Sequence, residues 1–156
     1  MEKYTRAEEQ AWMSKATARQ LLELKQLQEV KMNLHYSLED AQEAGQAPWD
    51  NIVQDDFHVV VFKDKYPVTD GHLLFVPKYS AVGVIEDCFA DALKLGQEKV
   101  KAGEWDGFNI GLNWGEAAGQ TVPYPHVHLI PRRKGDMEDP TGGVRHVIPE
   151  KGNYKK

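Results

Sequence analysis

Gly119-Gln-Thr-Val-Pro-Tyr-Pro-His-Val-His-Leu-Ile-Pro-Arg-Arg-Lys-Gly-Asp136 sets His126 and His128 two residues apart in a short apolar run. In an extended strand alternate side chains share a face. Tyr124, His126 and His128 are therefore expected to point together, with Val127 and Leu129 on the other side. A Gly-Gln-Thr turn precedes the run and Arg132-Arg-Lys134 follows it, both suited to meeting anionic groups. No other segment gathers as much chemistry, and the rest of the chain reads as its support.

Working outward, Phe108-Asn-Ile-Gly-Leu-Asn113 reads as a strand, joined to the histidine run by a loop from Gly115 to Gly119. Phe57-His-Val-Val-Val-Phe62 is nearly continuous apolar sequence, which predicts a buried strand, and Asn51-Ile-Val-Gln54 predicts another before it. His58, inside that apolar run, is expected to be structural. After the turn-rich Asp64–Gly71, His72-Leu-Leu-Phe-Val-Pro77 is a further strand ended by proline. Ile85, Phe89, Leu93 and Val100 recur at roughly helical spacing and predict a helix over 84–101. The order predicts an α+β domain over 49–156, with a mostly antiparallel five-stranded sheet and one packed helix.

Residues 1–48 read as a helical N-terminal extension. Thr5-Arg-Ala-Glu8 has capping-box spacing, and Met13, Leu21, Leu24, Leu27, Val30, Leu34 and Leu38 form an imperfect amphipathic stripe. Ser37-Leu-Glu-Asp40 is placed to cap a second short helix, and Gly45 and Pro48 end the region. The stripe is expected to lie on the domain or on a second subunit.

A chain of 156 residues suits one compact domain with an appendage. A net charge of -5 argues against a general nucleic-acid binder, so any polyanion must meet a local basic patch. The single Cys88 cannot close an internal disulfide, which suits a reducing cytoplasm. No apolar stretch has the roughly 18 residues of a membrane span, and the first residues lack the apolar core of a signal peptide. The expected location is the cytoplasm, with no membrane partner.

Chemically, an imidazole with a free pKa near 6.5 is largely unprotonated at neutral pH and can attack phosphorus. Such a nucleophile needs one ring nitrogen free and a fixed acceptor, such as a backbone carbonyl, for the other. A second histidine two residues on would lie beside the same phosphate, with Gln120, Thr121 and Asn113 as neutral donors. The spacing alone fits two other readings: a metal-ligand pair, with His72 as a third ligand, or a structural pair.

The residues also resemble a known family. His126-Val-His-Leu-Ile is similar to the signature of the histidine-triad (HIT) family of nucleotide hydrolases and transferases, His-φ-His-φ-His-φ-φ with φ apolar. The resemblance extends through Phe62–Lys78 and Asn109–Asn113. The tail Gly142–Lys151 is similar to that of bacterial members described as diadenosine tetraphosphate hydrolase-like. It covers about residues 50–151 in family order, and it displaces the metal reading.

The resemblance implies that His126 is the nucleophile on the α-phosphate and that His128 contacts phosphate and assists the leaving group. Gln120 and Thr121 would bind phosphate, with Asn113 at the scissile region. Asp64 would hold the ribose hydroxyls, and His72 and Tyr124 would lie at the nucleotide pocket. Two departures stand out. Tyr124-Pro125 replaces the first triad histidine and its apolar neighbour, a spacing that also resembles the Pro-His-Pro-His segment of galactose-1-phosphate uridylyltransferase. The N-terminal cysteine pair that supports zinc in some members is missing.

The expected activity is hydrolysis of dinucleoside polyphosphates or nucleoside phosphoramidates through a nucleotidyl-His126 intermediate, by a homodimer that uses no metal or cofactor. Transfer of the nucleotidyl group to phosphate or a sugar phosphate is one alternative. A nucleotide-binding scaffold with weak turnover is the other.

Overall fold

Val59–Lys63 form a strand whose first four side chains are all buried, as their unbroken apolar run requires. The computed structural model describes residues 37–155. The predicted leucine stripe before Leu38 lies outside the described residues. The described residues belong to one compact unit.

In chain order the described elements are helix α1 (Leu38–Glu43), β1 (Ile52–Asp55), β2 (Val59–Lys63), β3 (Leu73–Pro77), helix α2 (Val82–Lys101), β4 (Gly107–Leu112) and β5 (Val127–Arg132). Ser37 caps α1 as its position in the sequence implies, its hydroxyl accepting from the Asp40 amide at 3.1 Å. Leu38 and Ala41 of α1 join the core cluster of Val60, Phe62, Leu74 and Val76. This helix, assigned above to the extension, therefore packs on the sheet within that unit.

The sheet order is β1-β2-β3-β5-β4, and every pairing is antiparallel. Alternation along the strands builds two cores. Val59, Val61, Phe75, Val127 and Leu129 face α2, while Val60, Phe62, Leu74 and Val76 face the other way with Tyr124. Pro131 is tolerated in β5 because pairing with β3 stops at Leu73↔Leu129. Phe57 and His58 correct the expected strand start. They precede β2, Phe57 is 87% exposed, and the half-exposed His58 Nδ1 pairs with Asp87 Oδ2 at 2.9 Å. Among the described residues no helix is long and apolar enough to cross a membrane.

Helix α2 meets the sheet through Cys88, Ala92 and Gly96, three small residues at four-residue steps that let the backbone approach closely. Burial, with help from Asp91 and Asp87, pushes the Cys88 thiol up to about 12, so it serves as packing rather than as a nucleophile. At Gly96 an added Cβ would lie 2.7 Å from the Phe108 ring. Alanine gains about 1 kcal/mol of helix propensity there. Overpacking costs about 1–3 kcal/mol, so Gly96→Ala is expected to destabilise on balance. At Gly83 a Cβ meets nothing within 4 Å, and Gly83→Ala is expected to be neutral or stabilising. Urea denaturation of the two variants checks the contrast.

Candidate active site

The start of β5 carries the histidines. Leu74 of β3 lies opposite His128, so His72, two residues before Leu74, is the diagonal neighbour of His128 on the same sheet face. Asp64 follows β2, its amide donating to the His72 carbonyl at 3.1 Å. The Asp64 carboxylate reaches His72 Nε2 at 3.5 Å and accepts the Tyr66 amide at 2.7 Å. Strand pairing thus brings Asp64 and His72, eight residues apart, to His128, 56 positions beyond His72.

His126 lies before the strand proper, and its conformation follows from Tyr124-Pro125. Proline confines Tyr124 to extended backbone. The Tyr124 carbonyl then accepts a hydrogen bond from His126 Nδ1 at 2.9 Å, which leaves Nε2 with its lone pair. Trp49 packs across the His126 ring, centroids 4.8 Å apart, and His128 meets it edge-on at 4.9 Å. Trp49 also leans on Phe62, tying the ring to the core. An indole near an apolar turn carries no local signal that it will meet a histidine 77 positions away.

Electrostatically all three histidines are held toward their neutral forms. Burial lowers His126, opposed by its bond to the Tyr124 carbonyl and by Asp64. Burial again, then His126 and His72, brings His128 down to about 4. His72 is lowered by burial against the opposing pull of Asp64. The Nε2 of His128 is buried and has no hydrogen-bond partner among the described residues.

Asp64, His72 and His128 offer donor atoms within 4.8 Å of one another, a spacing that invites a metal reading. The polarity around them argues against it. A histidine that binds a cation through Nε2 carries its proton on Nδ1 and donates it to an acceptor. Here His72 Nδ1 instead receives the Val68 amide N–H at 3.1 Å. That donor set does not fit a cation.

Residues 44–135, well over half of the chain, match the HIT domain. The chain belongs to the HIT family. It is 41% identical over 93 residues to an uncharacterised HIT-like protein of Methanocaldococcus jannaschii, covering 56% of this chain and 72% of that one. It is 34% identical over 85 residues to the asymmetrical bis(5'-nucleosyl)-tetraphosphatase of Schizosaccharomyces pombe, covering 50% of this chain and only 47% of that enzyme. Among solved structures, the zinc-bound histidine triad family protein of Mycobacterium smegmatis superposes with a TM-score of 0.54 at 30% identity, covering 64% of this chain and 76% of that one.

Within this HIT domain the expected site residues separate. His126, His128, His72 and Asp64 converge. Tyr124 does not line a pocket with its side chain: it is 2% exposed, and its hydroxyl donates to the Pro77 carbonyl at 2.8 Å. Its contribution to the site is its backbone carbonyl. Gln120 also departs from its expected role as a spare donor. Its Oε1 accepts the Gly115 amide and its Nε2 donates to the Pro123 carbonyl, closing the loop before the histidines. The exposed Thr121 and half-buried Asn113 make no side-chain hydrogen bond among the described residues.

Arg132-Arg-Lys134 sits at the far end of β5, about 20 Å from His126 at ~3.3 Å per residue. Its arginines are engaged: Arg132 pairs with Asp136 and Asn109, and Arg133 donates to the Asp70 carbonyl. These side chains border a separate cavity of about 310 Å³, remote from the histidines.

The depressed histidines make stability depend on pH. Unfolded histidines bind protons near pH 6.5, whereas folded His128 resists them down to about 4. The unfolded state therefore holds more protons in that window, and stability falls as pH drops from about 6.5 toward 4. Melting temperature between pH 7.5 and 4.5 should show this loss, and His128→Gln should flatten it.

Proposed function

We propose that this HIT protein hydrolyses nucleoside phosphates at the α-phosphorus through a nucleotidyl-His126 intermediate. The reading rests on one observation above all. His126 Nδ1 is engaged at 2.9 Å by the Tyr124 carbonyl, which frees a buried, unprotonated Nε2 beside His128. In the first step the Nε2 lone pair forms an N–P bond. The bond to the leaving oxygen breaks, and that oxygen keeps its electron pair. In the second step a water oxygen bonds to phosphorus, the N–P pair returns to Nε2, and the water proton passes to solvent.

Asp64, with one carboxylate oxygen already on the Tyr66 amide, is assigned the ribose hydroxyls. Thr121 and Asn113 are assigned to phosphate oxygens, and Gln120 to holding the loop that carries Thr121. Tyr124 takes the position of the first triad histidine and serves through its carbonyl. The favoured substrates are dinucleoside polyphosphates, in line with the tetraphosphatase relative.

A homodimer follows from the same reading. Strand β4 is the sheet edge next to α2, which leaves Phe89 and Leu93 38% and 46% exposed. The test of function is trapping. Radiolabelled diadenosine tetraphosphate is mixed with the protein and quenched in base. Base-stable, acid-labile label on wild type, absent from His126→Ala, is expected. Tight nucleotide binding with neither label nor turnover would sink the enzyme reading in favour of a binding protein.

A further inference from the structure

Two hydrogen bonds run in series through the site and end on a third, unpartnered nitrogen. The Val68 amide donates to His72 Nδ1 at 3.1 Å, and His72 Nε2 faces His128 Nδ1 at 3.0 Å. His128 Nε2 ends the series, buried and without a partner among the described residues. A peptide N–H can only donate. His72 Nδ1 must therefore be the acceptor, which puts the ring proton of His72 on Nε2. That proton faces His128 Nδ1, so His128 Nδ1 must in turn be a lone pair and its proton must sit on Nε2. Asp64, at 3.5 Å, can share the His72 proton without moving it off Nε2. A proton on His128 Nδ1 would still meet an N–H head-on.

We propose that the backbone N–H of Val68 locks the His72–His128 pair in one neutral tautomer, so that His128 offers the substrate a hydrogen bond through Nε2 but does not surrender a proton. Val68 is a positioning residue, 72% exposed, whose side chain takes no part. Only its amide matters, which is why no side-chain pattern in the sequence points to it.

The consequence, resting on the hydrolase reading, concerns the leaving group. When His126 attacks, the breaking P–O bond of a polyphosphate leaves its electron pair on a phosphate oxygen. That oxygen is stable as an anion and needs only the His128 hydrogen bond. The P–N bond of a phosphoramidate would leave its pair on an amine nitrogen, which must gain a proton as it departs. A neutral imidazole N–H is too weak an acid to supply it. The site is thereby matched to phosphate leaving groups and not to amines.

Histidine ¹⁵N resonances of the full chain read the lock directly. Wild type is expected to show His72 and His128 as neutral Nε2–H tautomers from pH 5.5 to 8. A protonated Nδ1 on either ring would overturn the proposal whatever the protein catalyses. Val68→Pro removes the amide hydrogen and leaves the side-chain machinery in place. It is expected to release the tautomer and to lower turnover of diadenosine tetraphosphate about 10- to 100-fold. Wild-type kcat/KM is expected to favour diadenosine tetraphosphate over adenosine 5'-phosphoramidate by about 10²-fold or more. Equal or reversed preference would overturn the leaving-group assignment. If neither compound is turned over, the hydrolase reading fails, and the resonances alone decide the lock. Should Val68→Pro not fold, the wild-type resonances still decide it.

Discussion

Replacing His126 with alanine is expected to lower kcat by about 10⁴-fold or more, because no neighbouring group can supply the attacking nitrogen. His72 and His128 have their Nδ1 atoms turned to neighbours inside the protein, and His128 Nε2 ends the hydrogen-bonding series from Val68. Of the three, only His126 spends its ring proton on a backbone carbonyl through Nδ1, which leaves Nε2 as a lone pair; the Nε2 of His72 and of His128 each carries the proton. The companion variant His126→Gly opens space beneath Trp49, and added imidazole is expected to restore part of the lost rate. Single-turnover kinetics with and without imidazole measure both effects. An alanine variant within tenfold of wild type would mean that His126 is not the nucleophile.

Phe62→Ala carries the largest expected cost in stability. Phe62 is 1% exposed, at the middle of the cluster that joins α1 to the sheet. Truncation to alanine at such a position costs about 3–5 kcal/mol, through lost burial and the cavity left behind. The damage should also reach the site. The Phe62 ring meets Trp49 with centroids 6.0 Å apart, and Trp49 in turn meets His126. With that support gone, kcat at temperatures where the variant is folded is expected to fall by about tenfold or more, since small displacements of a nucleophile are costly. Phe62→Leu should lose less than about 2 kcal/mol and keep most of the activity. Urea denaturation and steady-state assays of the pair separate packing from chemistry. Equal stability for both variants would show that Trp49 and its neighbours close over the cavity.

Much of this fold is legible because its signals are local. The apolar run Val59–Phe62, the proline after Phe75-Val76 and the spacing of Ile85 and Phe89 each mark one element within a few residues. Ser37 capping α1 belongs to the same class, since the cap and its target are three residues apart. The misreadings come where a side chain has two uses of similar local cost. Gln120 can offer its amide to a ligand or spend it on the Gly115–Pro123 loop, and only the folded loop selects the second. Tyr124 shares the face expected of it. A phenol on that face can still meet solvent, ligand or core, and the Pro77 carbonyl settles the choice. His58 looks buried from its neighbours, yet β2 starts one residue later.

The sequence by itself determined that two histidines would share one strand face beside apolar partners, because strand alternation is fixed by backbone stereochemistry and needs no distant contact. It also carried the HIT resemblance that residues 44–135 bear out. Only the tertiary structure decided where the protons sit. Tautomers depend on which donor or acceptor faces each ring nitrogen. For His72 and His128 those partners include each other, 56 positions apart, and an amide on a connecting loop. Whether the cluster of Asp64, His72 and His128 suits a cation or a phosphate oxygen therefore turns on one peptide N–H, and side-chain spacing along a chain carries no record of it.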